Sequence, residues 1–154
     1  MGLMFEPIDI RKYEFLPMPV REQWGALVPE SSPLARKDAL TPEDLAGLPL
    51  VTTGSDIAQS ALSGWLGRYQ SRIHVMAAGN LLYNEALLAR SCGGAAFGLR
   101  LDCRYDGLRF IPLAPALETG TALAWKKEQP LPAAASAFIA FAKKYVAGVS
   151  QNKI

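Results

Sequence analysis

Histidine is almost missing from this chain: His74 is the single one. That excludes a metal site built on two imidazoles and leaves a Ser–His–Asp triad one place to recruit from. Cysteine is scarce as well. Cys92 and Cys103 can form neither a disulfide framework nor a four-ligand zinc site, and no metal or cofactor is expected. Neither sign of charge dominates. The 16 Lys and Arg against 14 Asp and Glu leave a net charge of +2. The positives are scattered (Arg21, Arg36, Lys37, Arg68, Arg72, Arg90), not gathered into the dense patch of a nucleic-acid binder. Long apolar runs are absent too: the longest, Leu131 to Ala142, is interrupted by Pro132 and Ser136 and falls short of a membrane span. Met1 to Glu6 shows no basic n-region or cleavage site, and Glu6 breaks the myristoylation pattern. A cytoplasmic chain off the membrane is the expectation.

What is present is half apolar and 19% charged, enough for a real core and too greasy for a disordered chain. The 154 residues are in the range of one domain. Leu3-Met4-Phe5 reads as a short buried strand that starts almost at Met1. Tyr13 to Val20 is extended, because Pro17 and Pro19 bias the residues before them away from helix. Trp24 to Val28 is a strand closed by Pro29, and Ser31 to Ala35 is turn-like. Thr41, Pro42, Glu43 and Asp44 make a helix start, which Gly47 ends. Leu50 to Thr53 is a strand. Thr53 to Asp56 supplies a turn and cap for a helix with Ile57, Ala58, Ala61, Leu62, Trp65, Leu66 and Tyr69 on one face. Ile73 to Ala77 is a strand, and Gly79-Asn80 caps a helix over Leu81 to Ser91 that Gly93-Gly94 ends. Ala95 to Phe97, Leu108 to Pro112 and Thr119 to Trp125 are strands. A last helix over Ala133 to Val146 buries Ala134, Phe138, Phe141 and Tyr145. Helices between short, unalternating strands predict a parallel-rich α/β sheet covered on both faces.

Catalytic motifs are lacking. No Gly-Lys-Ser/Thr follows a glycine, so there is no P-loop, and the glycines near Gly93 do not match a dinucleotide fingerprint. There is no Gly-x-Ser-x-Gly elbow. His74, within a strand, reads as structural or exposed; Cys92 and Cys103 read as a packing residue and an incidental thiol. Arg100, Asp102 and Arg104 read as a solvated loop, and the Trp65 stripe as core or subunit contact. Functional weight rests on two turns that leave strand carboxyl ends for helix N-termini: Thr52-Thr53-Gly54-Ser55 and Ala78-Gly79-Asn80. Ligands of open α/β sheets bind there, and free N–H groups suit a carboxylate or phosphate. Ordinary N-capping uses the same residue types, and the residues alone leave the two readings even.

The order of segments resembles the LysR-type transcriptional regulators. The resemblance runs through Trp24-Gly25-Ala26-Leu27-Val28, Ser32-Pro33-Leu34-Ala35, and Thr41-Pro42-Glu43-Asp44-Leu45-Ala46-Gly47-Leu48-Pro49-Leu50-Val51. It continues through Asn84 to Arg90 with Gly93-Gly94, and through Leu123-Ala124-Trp125-Lys126-Lys127 with Pro130 to Ala134. It implies an effector-binding domain of the type 2 periplasmic-binding-protein-like α/β fold, with one complete lobe and one incomplete lobe. On this resemblance 21–97 form the second lobe, 1–20 with 98–149 are a first-lobe remnant, and 150–154 are a tail. A small, anionic metabolite is expected between the lobes, facing Phe5, Glu6, Thr52, Thr53, Gly54, Ser55, Gly79, Asn80, Phe97 and Gly98. No catalysis is expected. The chain is expected to self-associate, and to reach DNA only through a winged helix absent from these residues. Two alternatives share the fold: a solute-binding protein, and a dehydratase-like enzyme for which Glu6 or His74 are the only nominees.

Overall fold

The computed structural model describes residues 1–151, with side chains to Val149. The chain divides into two compact units: Met1–Glu22 with the segment from Thr119 onward, and Gln23–Glu118.

The first unit contains β1 (Gly2–Phe5), the start of β2 (Tyr13–Pro29), β7 (Glu118–Lys126, from Thr119) and α4 (Ala133–Gln151). β7 is hydrogen-bonded to β1 on one side and β2 on the other. β1 pairs antiparallel with β7, Leu3 opposite Leu123 and Phe5 opposite Thr121. Pro17 and Pro19 do not break β2, which runs as one strand of 17 residues. They stand two apart and so withhold N–H groups on the same side, and an end strand has one side that asks for none. The core here is Leu123, Trp125 and Ile139 with Leu16, Met18, Leu131 and Ala142 around them.

Two expectations fail in this unit. β1 is not buried: Leu3 is 69% exposed, since among the described residues no strand pairs with the outer side of this end strand. The expected buried face of the last helix is outward. Ala134, Phe138, Phe141 and Tyr145 are exposed, and Ile139 is the residue that meets the sheet. α4 carries two adjacent apolar stripes, and periodicity alone cannot choose between them. The helix also continues to Gln151, past the start of the expected tail at 150; positions 152–154 of that tail lie outside the described residues.

The second unit holds the rest of β2, then α1 (Pro42–Leu45), β3 (Pro49–Thr53), α2 (Asp56–Leu66), β4 (His74–Gly79), α3 (Leu82–Cys92), β5 (Ala95–Leu99) and β6 (Leu108–Pro112). β2 lies between β6 and β5, and β3 joins β5 to β4. The β3–β4 and β3–β5 pairs are parallel, while β2 is antiparallel to both β5 and β6. The sheet is therefore mixed, not parallel-rich. Leu99 to Glu118 packs in this unit, because β6 registers against β2 from Gly25 to Pro29. The partition expected at 97/98 thus differs from the observed boundary, which long-range strand pairing decides.

α1 begins as its residues dictate: Thr41 and Asp44 cap each other reciprocally and Pro42 opens the helix. α3 packs Ala86 and Ala89 against Leu27, Val51 and Ala96, and Gly93 ends it in the left-handed region at φ 67°. On the opposite pleat face Trp24 stacks flat on Phe97, ring centroids 4.8 Å apart. Gly25 leaves room for Phe110, whose ring fills the space a Cβ would take.

Candidate functional site

Parallel pairing brings the carboxyl ends of β3, β4 and β5 to one edge of the second unit. Thr52 is opposite Ala78 and Thr53 opposite Gly79. Val51 is opposite Ala96, and continuing that register sets Thr52 level with Phe97 and Thr53 level with Gly98. The turns into α2 and α3 leave from this edge, and the Gly54 N–H donates to the Gly79 carbonyl at 2.7 Å. The Gln59 side-chain amide donates to the Thr53 carbonyl at 2.7 Å, and the Ser55 N–H reaches Thr53 Oγ1 at 3.4 Å. Thr52, Thr53, Gly54, Ser55, Gly79, Asn80, Phe97 and Gly98 therefore share one edge. Phe5 and Glu6 belong to the first unit. There the Glu6 N–H donates to the Gly120 carbonyl at 2.9 Å, and the Glu6 carboxylate lies over the Gly120 Cα.

The edge residues do different things. Phe97 is fully buried and supports the edge from within, through its stack on Trp24. Gly98 and Gly79 are seats for the first turn of α3. A Cβ on Gly98 would lie 2.5 Å from Leu82 Cδ1, and one on Gly79 would lie 2.7 Å from Glu85 Oε1. Asn80 is exposed and does not cap α3; the N-cap position is Leu81. Neither Ser55 nor Leu81 makes a side-chain cap bond. The capping reading, even with the ligand reading on sequence, thus lacks the bonds it needs. The first-turn N–H groups of both helices have no intrahelical acceptor. Thr52 is wholly buried, and its Oγ1 has no hydrogen-bond partner. A buried hydroxyl in that state costs free energy until something bonds to it.

Glu85 is the residue that sequence reasoning missed. It is 4% exposed, its Oε1 is unpartnered, and burial pushes its carboxyl above the ordinary range. The signal was present: Glu85 is three residues after Leu82 and one before Ala86, on the apolar face of its helix. The Tyr105 hydroxyl nearby is pushed up to about 12, by burial first and then by its hydrogen bond with Cys103. A cavity of about 420 Å³ opens beside the end of β5, floored by Leu27, Leu99, Leu108 and Phe110 and rimmed by Tyr105 and Arg104. None of the expected site residues lines it.

His74 stands exposed at the amino end of β4, opposite Pro49 and away from the edge. Trp65 is half-buried and donates Nε1–H to the Pro115 carbonyl at 2.7 Å. Arg100, Asp102 and Arg104 are exposed. Among the described residues no three His, Cys, Asp or Glu side chains are grouped to hold a metal, and no helix is long and apolar enough to cross a membrane.

The family model "LysR substrate binding domain" matches residues 1–147. No curated protein is matched. Among solved structures, the chain is similar to the effector-binding domain of QuiR in complex with shikimate, with TM-score 0.78 and 18% identity over 95% of this chain and 71% of that one. It is also similar to HinK, a LysR-family transcriptional regulator from Pseudomonas aeruginosa, with TM-score 0.71 and 18% identity over 94% of this chain and 51% of that one. CbnR, another LysR-family regulator, aligns with TM-score 0.72 and 11% identity over 94% of this chain and 52% of that one. The chain thus spans about half the length of HinK and of CbnR.

Proposed function

The chain belongs to the LysR substrate-binding domain family, and from that membership we propose that it senses a small anionic metabolite for a transcriptional regulator. The effector sits on the β3–β4–β5 edge. Thr52 Oγ1 bonds to it, and the open N-termini of α2 and α3 face its negative group. The observation that carries this reading is the fully buried Thr52 hydroxyl with no partner, at an edge where neither helix is capped by a side chain. QuiR, with the same fold, holds shikimate, itself a carboxylate. Thr53, Gly54, Ser55, Gly79, Asn80, Phe97 and Gly98 shape the edge. Control follows only if the effector binds two arrangements of the domain with different affinities. The regulator acts in the cytoplasm, self-associates and contacts DNA through a winged helix outside these residues; CbnR has been seen with its target DNA.

The test is thermal denaturation against a panel of small carboxylates and phosphates. A saturable rise in the midpoint, lost in Thr53→Ala, is expected. A flat response across the panel at millimolar concentration overturns the reading.

A further inference from the structure

Among the described residues Glu85 is the one charged side chain that is buried. It is the fourth residue of α3, and helical side chains lean toward the amino end of their helix. The carboxyl therefore reaches back to the first turn. There it rests on the Gly79 Cα, where a Cβ would lie 2.7 Å from Oε1 and 2.9 Å from Cγ. Gly79 is opposite Thr53, and its carbonyl holds the Gly54 N–H. The carboxyl is thus set where the open N-terminus of α3 meets the carboxyl end of β4. No cation is set against it: burial is the one influence on its ionisation, and it acts against the charge. The elements around it carry little charge of their own. β3 and β5 have no ionisable residue, and β4 has only His74, at its far end. Tyr105 feels the Glu85 charge from the loop after β5, but its own hydroxyl is pushed up to about 12 and is neutral. Asp56 opens α2 across the edge. On α3 itself, Arg90 is turned to the Asp106 carbonyl. A leucine or methionine would fill the space of Glu85 without an unbonded oxygen to bury. A carboxyl there has a chemical consequence instead, because an arriving anion makes it a second negative charge at one helix terminus.

We propose that Glu85 is a specificity residue of this edge: it admits the effector only in its neutral form, so the effector is a monocarboxylate and enters together with one proton. The inference rests on the reading that the edge binds the effector, and it adds the effector's class and its control. Two carboxyl groups at one site share a proton, because both are not charged side by side. The proton comes from solvent and stays on the Glu85 carboxyl. The effector keeps its own charge for the N–H groups of α2 and α3. A phosphate dianion brings a second charge, and Glu85 has no second proton to set against it. Phosphates therefore bind less well than carboxylates of the same body. Affinity is highest on the acid side, where Glu85 is already neutral. Above that range each effector bound draws up to one proton from solution.

Titration calorimetry of the full chain tests this, with acetate, benzoate and shikimate against inorganic phosphate and phenyl phosphate, from about pH 5.5 to 8.5. The Kd of a carboxylate that binds is expected to be level at the acid end. It should then rise toward about tenfold per pH unit once Glu85 ionises. Heats in buffers of different ionisation enthalpy should show proton uptake over the same range. Glu85→Gln keeps the shape and is neutral at every pH, so both the slope and the uptake should vanish. In that variant the phosphates should gain at least about tenfold on the carboxylates. Glu85→Met, neutral and of similar length, should lose the slope as well, and circular dichroism checks both folds. A carboxylate affinity that ignores pH, or a slope that persists in both variants, overturns the proposal and leaves the effector reading standing. If no probe binds the wild type or either variant at millimolar concentration, both fall.

Discussion

Thr52→Val separates a structural hydroxyl from one that waits for a ligand. Thr52 is fully buried and its Oγ1 is unbonded. An unsatisfied buried hydroxyl costs about 1–3 kcal/mol. Valine keeps the branched shape and removes that cost, so the ligand-free protein should gain about 1 kcal/mol. For a chain of this size that is a rise of about 2–4 °C in the midpoint. The effector should respond in the opposite sense. Losing one hydrogen bond to it is worth about 0.5–1.5 kcal/mol, a rise in Kd of about 2- to 12-fold. Thr52→Ser reverses the first sign and removes the second effect: a methyl is lost at about 0.8 kcal/mol, while the hydroxyl stays and affinity is kept. Calorimetry gives the midpoints and titration gives the affinities. A fall in the Thr52→Val midpoint would show that the hydroxyl already has a partner and would refute the premise. A raised midpoint with unchanged affinity would detach Thr52 from the site.

Glu85→Gln should flatten the pH dependence of stability. The wild-type carboxyl has a folded pKa above its unfolded value, so its contribution is intact below the ordinary carboxylate range and declines as pH rises through the raised value. Parallel midpoint-against-pH curves for the two proteins would contradict this. Gly64→Ala should stabilise by about 0.5–1 kcal/mol in urea unfolding: Gly64 is inside α2, its φ is not in the left-handed region, and an added Cβ meets nothing within 4 Å. Gly25→Ala should destabilise by about 1–3 kcal/mol, because its Cβ would meet the Phe110 ring and lie 2.5 Å from the Ile111 carbonyl oxygen. A neutral result at Gly25 would mean that β2 and β6 can shift apart.

Local signals read well wherever the physics is local. The reciprocal cap of Thr41 and Asp44, the glycine end of α3 and the strand over Leu50 to Thr53 depend on a few neighbouring residues, and each is where its residues put it. The second unit's edge was legible for a similar reason: strand, turn and helix start follow one another within Thr52 to Asp56. The failures share another cause. Whether Leu3 is buried depends on a strand beyond β1, and whether α4 turns Phe138 or Ile139 inward depends on the sheet it rests on. Where the chain divides depends on β6 finding β2 across about 80 residues. Glu85 combines both kinds. Its place on an apolar face was readable from spacing, but only the docking of α3 on Gly79 explains why a carboxyl is tolerated there. Glycine at 79 makes the space, Glu85 fills it, and the carbonyl of the same glycine holds the Gly54 N–H. One residue thus couples the first turn of α3 to the turn before α2. On this geometry a charge change at Glu85 is expected to reach the edge where the effector is proposed to bind, and an effector affinity unchanged by Glu85→Gln would contradict it.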